Sequence, residues 1–402
     1  MGTVLHRGLL GHASMIRWSL RRWIQFRLRT LLVLVTLLAL PMAWLGGEYR
    51  QREREKQIVA WVRANGGYAT LRQPEHTRWW NRALDRWLGP VVVGVGFWEK
   101  SQVKDLSPLV ELQDLRSLYL DHDAFDLSPL VALDRLEMLQ LYGQAVTQLP
   151  KFGPLKQLRH VIIHSTQITD LTPLGTLSGL EWLDISKSPV VDISPLEQLS
   201  KLQVVSLVDT PVEDLAPLGK LPRLERLEIS SVLIVSSEPN YTITVSDFAP
   251  LAGLTKLRTL VINNVPIREL ESLSSLTQLE HLALMNLEGM GVEPGDFHHL
   301  KQLTRLKRLN LSHSSIDDLT PLGDLRELVV LDLGGVPARD LAPLETLTAL
   351  RHVRIDDKIV DDPAITRLAE ALPQCQVHCV SQRNPNRHED VEVELFAFPY
   401  PD

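Results

Sequence analysis

Thirteen histidines, two cysteines and one recurrent acidic position are the places where this 402-residue chain could do chemistry. Cys375 and Cys379 stand four residues apart, so an extended strand would hold them roughly 13 Å from each other, too far for a disulfide. His160 and His164 share one strand face but lie two alternations apart, too far to ligate one metal together, and His298-His299 reads as a loop pair. The chain has no H-E-x-x-H, C-x-x-C or G-x-S-x-G pattern, and no glycine-rich phosphate loop follows a strand. The expectation is therefore no catalytic residue, no cofactor site and no metal site. The acidic position is more informative. It stands three residues before a recurring proline slot, as Asp105, Asp126, Asp170, Asp192, Asp214, Asp247, Glu269, Asp296, Asp318 and Asp340. A row of carboxylates could attract Ca²⁺, but that ion needs about six to eight converging oxygens. The expected role is acceptance of backbone N–H bonds at a turn, which also favours the ionised form.

Those positions belong to a repeat. With a period of 22 the chain reads L-x-x-L-x-x-L-x-x-L-x-L eleven times, from Leu109, Leu112, Leu115, Leu118 and Leu120 to Leu344, Leu347, Leu350, Val353 and Ile355. All 55 slots are apolar and 46 are leucine, which excludes a chance pattern. Ahead of each copy lies a D-[LI]-[STA]-P element, with Lys151, Ser272 and His299 where three prolines are missing. The alternating x-x-L-x-L part predicts a short strand, and the three-residue period of L-x-x-L-x-x-L predicts a turn or 3₁₀ helix returning along the other side. One repeat cannot bury its own leucines. Stacked at ~4.8 Å, eleven coils would share one core in a rod roughly 50 Å long. Ser107, Ser128, Thr172, Ser194 and Thr320 precede prolines, which predicts hydroxyl N-caps with proline at the first helical position.

These residues resemble the leucine-rich repeat family, in its 22-residue internalin-like type, whose repeats run LxxLxxLxxLxLxxN-x-I-x-D-[LI]-x-P-L. The resemblance implies an α/β solenoid, a curved rod with a parallel β-sheet on its concave face. The chain departs from the family at the asparagine slot, which holds Asp123, Gln144, Thr166, Ser188, Thr210, Val232, Val265, Leu287, Ser314, Val336 and Lys358. An asparagine ladder cannot satisfy the buried backbone here.

The flanks differ from the repeats. Residues 1–60 hold ten Lys/Arg against three Asp/Glu (+7), so the rest, from a total of −7, carries −14. An acidic body argues against nucleic acid as partner, because phosphate binding needs a positive surface. Eighteen uncharged residues, Thr30 to Gly47, would cover about 27 Å as a helix, close to the ~30 Å hydrocarbon core. Arg17, Arg21, Arg22, Arg27 and Arg29 precede it and Arg50, Arg52, Arg54 and Lys56 follow it, a bias that puts the N-terminus in the cytoplasm. The alternatives are a cleaved signal peptide and a core helix, and Met15 is a second possible start. The expected division is a basic cytoplasmic tail (1–29), a transmembrane helix (30–47), a charged helical stalk (48–76), an N-terminal cap (77–104), eleven repeats (105–358), a C-terminal cap (359–380) and a tail (381–402). An eleven-residue excess at 231–246 predicts a hairpin around Glu238-Pro239-Asn240, and a five-residue excess near Glu288-Gly289 predicts a loop.

Strand side chains alternate, so residues beside the inward leucines face the concave surface. Met138, His160 and Trp182 fall in one row, and Tyr119, Gln140, Ile162 and Asp184 in another, with Tyr142 and His164 adjacent. The candidate partner-binding residues are Tyr119, Met138, Tyr142, His160, His164, Trp182 and Asp184. Aromatic and apolar groups on an acidic open face are the composition of an interaction hot spot or a sugar-stacking platform; the rings could also simply cover the sheet. The layout looks like single-anchor bacterial repeat proteins. The expected function is a membrane-anchored, non-catalytic recognition protein that binds a protein or a cell-envelope polysaccharide, with the repeats outside the cytoplasm. A structural envelope component, or a soluble secreted protein after signal cleavage, is the alternative.

Overall fold

A computed structural model of the chain describes residues 10–72, 85, 87–101, 103–121, 126–153, 155–231, 243–356 and 362–380. The expected Glu238-Pro239-Asn240 hairpin, the tail from 381 and the tryptophans at 79 and 80 lie outside them. The chain divides into two compact units, Met1–Trp61 with Leu71–Val91 and Val62–Thr70 with Val92–Asp402.

The first unit is dominated by helix α1 (Leu10–Ala64), which runs through Pro41. Between Leu31 and Met42 its leucines and valines are exposed, and by length and composition it can cross a membrane. The Thr36 hydroxyl donates to the Leu32 and Val33 carbonyls at 2.8 and 2.9 Å, so the one hydroxyl in this apolar stretch closes on the helix itself. Further on, Gln51, Arg52, Glu55 and Ile58 are buried, and Arg52 lies 3.3 Å from Asp85 and 3.7 Å from Glu55. Within the 48–76 segment the helix ends at Ala64, where the Asn65-Gly66-Gly67 sequence signals a stop. Gly66, at φ +77°, takes the left-handed conformation that stops a helix, and the next residues form a strand.

The second unit is one sheet of fourteen strands in sequence order: β1 (Gly67–Leu71), β2 (Val92–Phe97), β3 (Ser117–Asp121), β4 (Met138–Tyr142), β5 (His160–His164), β6 (Trp182–Ser186), β7 (Val204–Val208), β8 (Arg226–Ser230), β9 (Thr259–Asn263), β10 (His281–Met285), β11 (Arg308–Asn310), β12 (Val330–Leu333), β13 (His352–Asp356) and β14 (Gln376–Val380). Every pairing from β2 to β14 is parallel. The five slots of each repeat supply the core, from Leu109 to Ile355, all 4% exposed or less. Sheet order follows sequence order because each coil is too short to pair with anything but its neighbours. Helix α2 (Asp362–Ala371) packs Ala364 and Leu368 into the end of that core, ahead of β14.

One local expectation is corrected. The hydroxyls before the prolines are not caps: among the described residues no 3₁₀ turn has a side-chain bond from its N-cap residue except the one opening at Pro294, where Glu293 and Asp296 bond reciprocally. The acidic residue does the capping instead. Asp105, Asp126, Asp170, Asp192, Asp214, Asp247, Asp318 and Asp340 each accept the backbone N–H two residues on, at 2.8–3.0 Å. Ser107, Ser128 and Thr172 bond the same carboxylates, and these contacts hold Asp105, Asp126 and Asp170 below the usual carboxylate range. The repeat with Gln148 in place of the acid is also the one whose described residues make no helical turn. The asparagine slot is filled without an asparagine. Thr166 and Ser188 share a hydroxyl bond of 2.9 Å, Ser188 reaches the Ser186 carbonyl and Thr210 the Ile185 carbonyl at 2.6 Å. Short hydroxyls therefore satisfy buried backbone where a longer amide would be expected. One residue earlier the chain turns through the left-handed region, at Gly143, Ser165, Lys187, Asp209, Asn264, Asn286, His313 and Gly335.

Candidate functional site

The open face of the sheet is built by register. The pairings align Ser117, Met138, His160, Trp182, Val204 and Arg226 in one row, and Asp121, Tyr142 and His164 in another. Between them runs Gly96, Tyr119, Gln140, Ile162, Asp184, Ser206 and Glu228. Five rings connect across the first strands. Tyr68 stacks on Trp98 with centroids 5.1 Å apart and planes at 28°; Trp98 to Tyr119 is 5.1 Å at 58°, Tyr119 to Tyr142 5.2 Å at 37° and Tyr142 to His164 5.3 Å at 37°. The spacing follows the strand repeat of about 4.8 Å, so each ring leans on the next one. The Tyr119 hydroxyl donates to Asp121 at 3.1 Å, and burial with that carboxylate raises its pKa. His160 meets the Trp182 ring edge-on at 6.4 Å, and burial lowers its pKa. Met138 accepts a 3.1 Å contact from the Gln140 amide.

Of the seven candidate residues, the sheet thus joins Tyr119, Tyr142 and His164 in one chain and His160 with Trp182 in a second contact, with Met138 beside His160. Asp184 stands apart from the rings. It is only 5% exposed and takes a hydrogen bond from Ser186, and burial pushes its pKa up to about 6. Glu228, two strands on, is pushed up to about 7 by burial and then by Asp184. Ser206 between them and Ser230 beside it approach Glu228 at 3.5 and 3.4 Å. Ile162, in the same row, is buried rather than facing solvent.

Two members of the ring chain escaped the reading of the repeat: Tyr68 and Trp98. Tyr68 lies over β2 where Gly96 has no side chain; a Cβ there would sit inside van der Waals contact with the tyrosine ring. Gly94 likewise leaves room for Ser117 and Thr70. The glycines alternating in Val93-Gly94-Val95-Gly96-Phe97 were the available signal, since glycine inside a strand marks a close approach. Among the described residues no group of three His, Cys, Asp or Glu is placed to hold a metal ion.

No family model matches the chain, and a search of the curated proteins finds no match either. Solved structures do match. An internalin from Listeria monocytogenes superposes with a TM-score of 0.54 at 23% identity, over 73% of this chain and 87% of that one. Internalin C2 of the same organism is 26% identical over 56% of this chain and 83% of its own, with a TM-score of 0.40. A leucine-rich-repeat protein of Leptospira interrogans is 17% identical over 69% and 81%, with a TM-score of 0.43. The first of these, together with the fourteen-stranded sheet and the 22-residue period, shows the leucine-rich-repeat fold of the internalin type.

Proposed function

We propose that this leucine-rich-repeat solenoid is a non-catalytic, membrane-anchored recognition protein that binds a protein or a cell-envelope polymer through the open face of its sheet. The observation that carries the reading is the five-ring chain from Tyr68 to His164, because aromatic side chains on an exposed sheet face supply large contact area with little ordering cost. Trp98 is 51% exposed and Tyr68 36%, so the chain begins at an accessible edge. The step from this fold to recognition is an analogy of architecture. In the proposed division residues 1–29 lie in the cytoplasm, 30–47 cross the membrane and the repeats of 105–358, with caps at 77–104 and 359–380, lie outside it. The exposed apolar run of α1 and the preceding arginines support that orientation.

Immobilised full-length protein in detergent micelles, challenged with envelope extracts, should retain a component that the Tyr119→Ala/Tyr142→Ala variant does not. The expected loss is about 2–4 kcal/mol of binding with an unchanged unfolding curve. Equal retention by both proteins would overturn the ring chain as the contact. Protease added to intact cells should remove the repeats and spare an N-terminal tag; survival of the repeats until lysis would reverse the orientation, and release without detergent would make Thr30–Gly47 a cleaved signal.

A further inference from the structure

The middle row of the sheet face treats its acids unequally. Asp332, 5% exposed, receives the Arg354 guanidinium from the next strand at 2.7 Å. Asp184, equally buried, has only the Ser186 hydroxyl on Oδ1, and Oδ2 has no hydrogen-bond partner among the described residues. Glu228 has only the Ser206 and Ser230 hydroxyls. The other titratable or charged groups on this part of the face are His160 and His164 on β5 and Arg226 on β8, and none of them forms an ion pair with either carboxyl among the described residues. The facing positions of β7 and β9 are Val204, Ser206 and Val208, and Thr259, Val261 and Asn263, all uncharged. The two carboxyls stand two strands apart, roughly 10 Å between backbones, with the small Ser206 in the gap.

We infer that this gap is a subsite for one basic side chain of a protein partner, a lysine ammonium or an arginine guanidinium seated over Ser206 between Asp184 and Glu228. The inference rests on the sheet-face reading above and names the partner's chemistry. A buried acid without a cation is costly unless it is neutral, so an entering cation supplies what Arg354 supplies to Asp332. A polypeptide fits better than a glycan. The neighbouring rings lean on one another at 5.1–5.3 Å, so their faces are occupied and mainly their edges are offered; sugar stacking needs an open face, whereas protein side chains pack on edges. The −14 charge of residues 61–402 adds attraction for a basic partner.

Burial holds Asp184 near 6 and Glu228 near 7, so part of this pair is protonated at neutral pH and cation binding releases a proton. The test uses the full-length protein in detergent micelles, titrated calorimetrically with a tetra-arginine peptide and, separately, with a neutral chitin oligosaccharide. Peptide affinity should rise at least tenfold from pH 5.5 to pH 8, and at pH 7 the heat should depend on the buffer's ionisation enthalpy because protons leave. Asp184→Asn/Glu228→Gln should abolish both effects, while Asp134→Asn, an exposed acid off the sheet face, should change neither. An unfolding curve for the double variant separates a lost subsite from a lost fold. Peptide binding that survives the double variant, or that shows no proton release, overturns the subsite. Binding of the oligosaccharide in its place, lost in the same variant, assigns the gap to a glycan instead. The recognition reading is tested apart from this, through Tyr119 and Tyr142 and an envelope component, so either can fail alone.

Discussion

Carboxylates occupy both sides of this solenoid, and the two sets live under opposite physics. On the turn side Asp105, Asp126, Asp170 and Asp192 are fully exposed, and each is bonded by the backbone N–H two residues on and by the Ser or Thr hydroxyl there. Those donors favour the ionised form and hold the acids below their usual range. On the sheet side the buried Asp184 and the half-buried Glu228 have no cation paired with them among the described residues, and rise to about 6 and about 7. The turn acids answer a need of the chain that carries them, since a short 3₁₀ helix leaves N–H groups open. Asp184 and Glu228 accept no backbone N–H bond among the described residues, and the fold would be more stable without their charge. A group that costs stability and is met only by neighbouring serine hydroxyls is where a function outside the coil should be sought.

The largest expected effect comes from removing the sheet acids. A carboxyl raised above its unfolded value is charged in the unfolded chain while still neutral in the folded one. Stability therefore grows as pH falls through about 7 and about 6, down to the unfolded values near 4. The turn acids have the reverse sign: their contribution is present above the unfolded value and is lost below it, as pH falls through the depressed folded value. The native protein should thus be most stable near pH 4–5, and Asp184→Asn/Glu228→Gln should gain about 2–5 kcal/mol at pH 8 and little at pH 5. Urea unfolding at the two pH values checks this; a native protein whose stability is flat from pH 5 to 8 would erase the contrast between the two sides.

A smaller effect is expected where the ring chain rests on a missing side chain. Gly96→Ala places a methyl group against the Tyr68 ring and should cost about 1–2 kcal/mol while shifting Trp98 fluorescence. An unchanged emission spectrum would mean that Tyr68 does not lean on Trp98. The smallest effect belongs to a single turn acid. Asp170→Asn keeps an oxygen for the Thr172 N–H, so it should leave the neutral-pH unfolding midpoint nearly in place, and Asp170→Ala should lower it. If Asn and Ala behave alike, charge rather than geometry holds the turn.

How much of this was visible in the residues depends on which rule governed them. The leucine slots fixed strand, turn and stacking order together, since one period set all three. The pairing of Tyr142 with His164, one row over from Tyr119, followed from the same spacing. Tyr68 on β1 and Trp98 just after β2 lay outside the period, ahead of the first repeat, so no register argument reached them. Alternation placed Ile162 and Asp184 on the sheet face but could not tell that neighbours would cover them, because a parallel ladder sets side chains from both flanking strands against each one. The turn hydroxyls were assigned to the wrong donor–acceptor pair: Ser107 and Asp105 stand two apart, either can close the turn, and the stronger acceptor prevails.

The unbroken parallel ladder from β2 to β14 also sets how the repeats respond to force. Its hydrogen bonds point along the direction in which the coils are stacked. A pull between the first strand and the last therefore opens them in turn, like a zipper, and does not load them all in shear at once. Each opened coil frees a loop of 22 residues in most repeats, roughly 75 Å of slack at full extension. Between two tethered ends such a sheet lengthens stepwise at low tension and recloses coil by coil when the tension falls.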